Sequence, residues 1–466
     1  MIAHSSLHQR PHRPARALIA PRSAPLLLVV IALLPFGIAS GGCRVYGERM
    51  QQVRQHYYHS DLAAADRLLL ETREQQPADA PLIDLERALV LLTQGRARDA
   101  EQLLRGARDE FDERQASDPV ATTKSWLTDD TQRTYRGDDY ELVLIRAFLA
   151  LSNLLHDGGD AEAYSLQVSA EQQRIIEAAI EADGKNPKAA YQQVAIGPFL
   201  RGMLREQTHL HYDDAARSYQ QVVHWQPDFL AGKTDLQRAQ FGTHSAPAHG
   251  VLYVFALVGR GPLKQEAVEQ PTSAALLVAD RIVSAIGSQT LPPTIAPIKV
   301  PRMVAGSQTI PALAVEVAGQ PPQRTETITD INRMAVLQAQ AIHDQTVGRA
   351  VARRVLKKSL LYGAKEVADV SKNSFVSLGI DLAGVAYEAT EHADTRCWSL
   401  LPASIQVARI ELPVGRHQVT LRALRNSGRS PAALQTQTVE ILDARNRYVL
   451  VNLPDDRVIG TPIVSR

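Results

Sequence analysis

The chain has 466 residues, with 51 lysines and arginines against 50 aspartates and glutamates, and aromatic residues make up only 5% of it. That length allows two or three domains with a sizeable core, and the near-balance of charge excludes the basic excess that a nucleic-acid partner requires. The two cysteines, Cys43 and Cys397, exclude a disulfide framework.

Arg10, Arg13, Arg16 and Arg22 precede an apolar run from Leu26 to Ile38, and no acidic residue occurs before Glu48. This is the charge layout of an export signal. The run falls short of the roughly 20 apolar residues of a spanning helix. Ala39, Ser40, Gly41 and Gly42 then lead to Cys43. The approach resembles the lipobox of bacterial lipoproteins, whose cysteine receives diacylglycerol and becomes the mature N-terminus; Ser40 stands where that pattern usually has Leu. A cleaved ordinary signal, an uncleaved signal-anchor and an Arg-rich organellar transit peptide are the alternatives. Without residues 1–42 the chain keeps 47 basic and 50 acidic residues, a net charge of about −3.

From Val45 to about Gln240 the apolar residues recur at helical spacing, broken by short turns. His59 to Asp61 separate two helices, and Leu62, Asp66 and Leu69 to Leu70 mark one face of the second, which Pro77 ends. Leu82 to Thr93 and Ala97 to Phe111 form a pair around Gly95. Ala64 and Ala100, 36 residues apart, occupy like positions, close to the roughly 34-residue period of tetratricopeptide repeats. A polar insertion, Asp112 to Asp139, contains Trp126. Further pairs are expected over Tyr140 to Leu155 and Asp160 to Ala182, with Asp160 as N-cap, and over Lys188 to His211 and Asp213 to Trp225. A last helix follows Pro227.

After Gly242 to Gly250 the period changes. Val251 to Val258 reads as a buried strand that Gly259, Gly261 and Pro262 turn sharply. Ala274 to Ile286 reads as a helix with Leu277, Ile282 and Ile286 inward. Leu291 to Val304, with four prolines, must be extended. Ala312 to Val317 is a further strand. A long helix from Thr329 to Asp369, kinked near Gly348 or Gly363, carries a basic side of Arg349, Arg353, Arg354, Lys357 and Lys358, and Phe375 to Thr390 is an apolar core helix. From Ser404 the chain alternates as strands do: Ile405 to Leu412 and Arg416 to Ala423 around Pro413-Val414-Gly415 form one expected hairpin, and Ala433 to Leu442 with Arg447 to Leu453 another. The strand, PxG, strand pattern resembles PEGA-type surface modules.

The expected fold class is therefore α+β: a signal peptide over 1–42, a solenoid of helical hairpins over 43–241, a mixed α/β domain over 250–400 and an antiparallel β-sandwich-like module over 401–466.

For chemistry, the densest constellation is Asp394, Arg396 and Trp398, where Asp394 is expected to pair with Arg396 or with another base and fix the start of the β module. Its expected role is structural. His209, His211, Asp213 and Asp214 are metal-ligand types without a recognised spacing. Gly259 and Gly261 lack the GK[ST] of a phosphate loop. No GxSxG, HExxH or CxxC occurs, so no catalytic residue, metal or cofactor is assigned.

GDDYELVLIRAFLALSNLLHDGGDAEAY (137–164), VLYVFALVGRGPLKQE (251–266), GRAVARRVLKK (348–358) and ADTRCWSLLPASIQVARIELPVGRH (393–417) together resemble a family of bacterial envelope lipoproteins with tetratricopeptide-like helices and no assigned activity. The resemblance implies an envelope protein with an α-repeat half and a mixed C-terminal half. The expected function is a non-enzymatic scaffold, held on a membrane outside the cytoplasm by lipid on Cys43, that binds a protein or peptide. The alternatives are an envelope hydrolase or glycan-processing enzyme with a cleft between the halves, and a structural subunit of an envelope or secretion assembly.

Overall fold

The computed structural model describes the backbone of residues 41–116, 134–181, 184–286, 291–292, 295–367, 392–425 and 434–465, with side chains except at 41–45, 286 and 357–367. The export signal before Gly41, the insertion around Trp126, the side chains of Lys357 and Lys358, and the expected helix Phe375 to Thr390 lie outside what is described. Cys43–Arg466 forms one compact unit.

Helices follow one another through the first half: α1 (Gly41–Tyr58), α2 (Leu62–Gln75), α3 (Ala80–Thr93), α4 (Ala97–Ala116), α5 (Asp139–Leu154), α6 (Ala161–Glu177), α7 (Ile196–Gln207), α8 (Tyr212–Trp225) and α9 (Ala231–Gln240). From α2 to α9 each helix packs against the next, across short turns and across the longer stretches 117–138 and 178–195 alike. The α2 start is set by Asp61, whose carboxylate accepts the Ala64 amide at 3.2 Å. Ala65 of α2 and Ala100 of α4 are both fully buried, whereas Ala64 is half-buried and Leu70 exposed. Asp160 stands at the α6 N-cap position without a side-chain capping bond. The helix expected from Lys188 begins only at Ile196; Asn186 turns the chain before it, its side chain bonding the Lys188 amide and the Ile176 carbonyl.

The helical layer rests on a five-stranded sheet of order β11-β10-β1-β7-β6, made by β1 (His249–Val258), β6 (Glu326–Asp330), β7 (Ser404–Pro413), β10 (Asn446–Leu453) and β11 (Ile459–Val464). Strand β1 is its middle, parallel to β10 and antiparallel to β7. Val251, Tyr253, Phe255 and Leu257 join the helical core, while Leu252, Val254, Ala256 and Val258 enter a second core. Burial on both faces is why β1 reads as an unbroken apolar run. The second core is closed by a four-stranded sheet, β5-β4-β8-β9, of β4 (Ala312–Val317), β5 (Gln323–Arg324), β8 (Gly415–Leu424) and β9 (Gln435–Ile441). A third cluster joins the two-stranded sheet of β2 (Leu263–Glu269) and β3 (Ile298–Val304) to α10 (Ser273–Ile286) and α12 (His343–Val367). Among the described residues no helix is long and apolar enough to cross a membrane.

The strand positions expected after Ser404 are occupied, but both expected hairpins are replaced by other pairings. Strand β7 pairs with β1 and β6, and β8 pairs with β4 and β9, so Pro413-Val414-Gly415 is a corner at which the chain passes from one sheet to the other. Strands β9 and β10 likewise lie in different sheets. The last strands are thus completed by strands from 249–330 and are not a sandwich by themselves. The long helix expected from Thr329 is divided at Ile342 into α11 (Ile331–Ala341) and α12. Gly348 lies inside α12, where a Cβ would stand 2.7 Å from the Ala275 carbonyl; it permits close packing on α10. Arg353 is buried and Arg354 bonds the carbonyls of Ala296 and Pro297, so the basic residues do not form one solvated stripe. On α10, Ala275, Ala279 and Val283 face inward and Leu277 is 66% exposed.

Candidate functional site: a strap held by buried carboxylates

Between the helical layer and the sheet runs an irregular segment, His392–Leu401, which leads into β7. Having neither helix nor strand partners, its amides need acceptors from side chains. Two glutamates supply them. Glu141, in the first turn of α5, accepts the Trp398 amide at 2.6 Å and the Asp138 amide at 3.0 Å, with the Tyr135 hydroxyl at 2.5 Å and the Tyr140 hydroxyl at 3.2 Å. Glu86, in the middle of α3, accepts the Ser399 amide at 2.6 Å, the Ser399 hydroxyl at 2.8 Å and the Leu400 amide at 2.9 Å. Both glutamates are fully buried.

Every donor to these two carboxylates is uncharged. Burial pushes Glu86 up to about 7 against the bonds from Ser399 and Leu400 and the more distant charge of Arg54. Burial, with the nearby charge of Asp138, likewise pushes Glu141 up to about 7, opposed by Lys264, Tyr135 and the Trp398 amide.

The cations of the region are engaged elsewhere. Arg396 donates to Asp79 at 2.7 Å and, through two nitrogens, to Asp394 at 2.9 and 2.7 Å, with its guanidinium 5.5 Å from the Tyr135 ring centre. Lys264 of β2 donates to Asp138 at 2.8 Å. Asp79 is raised by burial, which exceeds the pull of Arg396. Trp398 is completely buried, its ring 5.4 Å from that of Phe148. The Cys397 thiol is buried and pushed up to about 12 by burial, which keeps it protonated and unreactive. At the far end the Leu401 carbonyl accepts the Gly261 amide at 2.7 Å, so the Gly259 to Pro262 turn is committed to holding the strap.

The structure therefore brings Asp394, Arg396 and Trp398 together, with Asp394 paired to Arg396. It adds Asp79, Glu86 and Glu141, which the sequence reading passed over. Two signals mark the glutamates. Asp138 and Glu141 are spaced as a capping box before an apolar run, and Glu86 is a carboxylate on the otherwise apolar face of Leu82 to Leu92. Cys43 lies in the first turn of α1, and its side chain is outside those described.

Two other polar junctions involve the helical layer, one between helices and one between a helix–helix loop and the strand side. Glu101 of α4 accepts from His156, from Asn153 at 3.2 Å, from Tyr164 at 2.9 Å and from Arg105 at 2.6 Å. His209 bonds the Ala444 carbonyl at 3.0 Å and its ring lies 4.9 Å from that of His244; His211 precedes α8. Among the described residues no group of three or more His, Cys, Asp or Glu is arranged to hold a metal ion. A pocket of about 410 Å³ is lined by Asp109, Glu110, Glu113 and Arg114 of α4, and one of about 130 Å³ by Gln270, Pro271, Leu276, Leu291, Pro292 and Ile295. Neither includes Glu86 or Glu141.

Compared with protein-family models, with curated proteins and with solved structures, the chain has no match in any of the three.

Proposed function

We propose that this protein is a cell-envelope scaffold, anchored by diacylglycerol on Cys43 and binding a protein or peptide partner through tetratricopeptide-like helical hairpins. The observation that carries the reading is the sequence leading to Cys43, a basic stretch and an apolar run that end in Ala39-Ser40-Gly41-Gly42, with Tyr46 three positions later buried in the core. A diacylated cysteine supplies the two chains that stable anchoring needs.

The geometry redirects the partner surface. The inner side of the helices is covered by β1, β7 and β10 and by Trp398 of the strap, so in this reading the partner meets the outer helix faces or the loops between helices. Leu210, 81% exposed, lies in such a loop, and Phe241, 83% exposed, closes α9. The buried glutamates, which a hydrolase reading would recruit, are engaged by strap amides, by the Ser399 hydroxyl and, at Glu141, by Tyr135, Tyr140 and the Asp138 amide.

The experiment combines lipid labelling, membrane fractionation and in-cell crosslinking of wild type and Cys43→Ser. Lipid incorporation, membrane association and a crosslinked partner are expected for wild type, with the first two lost in the variant. Identical fractionation of the two proteins overturns the lipid anchor. Co-purification in fixed stoichiometry with one large assembly replaces the scaffold by a structural subunit.

A further inference from the structure

We propose that the strap His392–Leu401 is a pH-linked clamp, whose seating on Glu86 and Glu141 tightens as the medium is acidified across the neutral range. Three consecutive amides, Trp398, Ser399 and Leu400, are bonded to these two carboxylates and to no cation. Seating the strap closes both carboxylates off from water, and lifting it exposes them. A carboxylate buried among uncharged donors favours its protonated form, while the same group in water ionises at ordinary acidity. Seating therefore takes up protons, and by linkage a higher proton concentration drives seating. A protonated carboxyl still accepts through its carbonyl oxygen and retains a lone pair on the hydroxyl oxygen, so protonation does not by itself empty the clamp.

The groups around the two glutamates are, on α1, Tyr46, Arg54, Tyr57 and Tyr58; before α3, Asp79; at the α5 start, Tyr135, Asp138 and Tyr140; on β2, Lys264; on the strap, Asp394, Arg396 and Cys397. The tyrosines and the thiol are raised by burial and stay neutral. Asp79 and Asp138 are raised by burial as well, which adds to the effect. Arg54 opposes it at Glu86 and Lys264 at Glu141, and the burial of both glutamates outweighs them.

The test is amide hydrogen exchange of the wild-type protein between about pH 6 and about pH 8, corrected for the intrinsic pH dependence of exchange. Protection of the Trp398, Ser399 and Leu400 amides is expected to be about tenfold or more higher at the acid end, since one pKa unit is a factor of ten. The Phe255 and Ala256 amides of β1 report global opening, which frees the same two carboxylates, so they are expected to stay better protected than the strap at every pH. Glu86→Gln, unable to ionise, is expected to flatten the strap's pH slope; if it does not fold, the wild-type profile decides. Strap protection that is flat or falls on acidification, or that equals β1 protection throughout, overturns the clamp.

Discussion

Arg396 and Asp79, 317 residues apart in the chain, are joined at 2.7 Å. That contact ties the strap to the turn before α3, and the same guanidinium holds Asp394. The helical half and the C-terminal strands are thereby connected through one nearly buried cation, with 5% of its side chain exposed.

Arg396→Ala strands Asp79 and Asp394 without their partner. Removing one member of a buried ion pair costs about 3–5 kcal/mol, so a marked fall in the urea midpoint is expected. Arg396→Met combined with Asp79→Leu, which removes charge from both sides, is expected to lose less. Equal losses would show that packing of the arginine stem, and not the stranded charge, sets the cost.

Trp398→Ala empties a fully enclosed site beside Phe148, and large-to-small changes of this kind cost about 3–5 kcal/mol. Trp398→Phe keeps part of the contact and is expected to lose roughly half as much, checked by thermal and denaturant unfolding. A surface-like loss below about 0.5 kcal/mol for the alanine variant would contradict the packing.

Glu101 behaves in the opposite sense to the strap glutamates. Burial alone would raise it, but bonds from His156, Asn153, Tyr164 and Arg105 outweigh burial and hold it below its ordinary value. A carboxylate depressed in the folded state contributes stability above its unfolded value, and that contribution is lost as pH falls through the folded value. Stability measured from about pH 6 down to about pH 3 is therefore expected to fall less steeply in Glu101→Gln than in wild type.

Gly460 has φ +67°, and a Cβ there would stand 2.1 Å from the Thr93 carbonyl of α3. Backbone on both sides leaves no side chain to yield. Gly460→Ala is expected to cost about 1–3 kcal/mol and to loosen β11 from α3, visible as lowered exchange protection of the Val449 and Leu450 amides of the neighbouring strand. Unchanged protection would place the contact outside the cooperative core.

Element types were largely legible because local periodicity records them. The β1 run Val251 to Val258 and the face of α3 each state their burial outright. Partnership was not legible. Nothing within Arg416 to Ala423 says that its neighbour is β4 and not the adjacent β7, since alternation fixes which face is apolar but not which strand lies beside it. Likewise Asp394 and Arg396 were visible as a charged pair at short range, while Asp79, Glu86 and Glu141 come from far upstream and carry no local sign of a strap. Glu141 also hid behind a helix-start motif that explains it on local grounds. Arg353 reads from spacing as one of a basic side, and spacing on α12 cannot reveal that neighbouring elements bury it.

The position of β1 bears on how the protein is made. Its two neighbours are β7 and β10, which are translated more than 140 residues later. A chain emerging from its N-terminus presents finished helices with a raw apolar underside, and these wait until residues 404–453 arrive to cover it. Such late, long-range closure is slow and exposes aggregation-prone surface. In the cell the growing chain is therefore a natural client for a holding chaperone, and a premature stop before β10 would leave an insoluble product and not a working helical fragment.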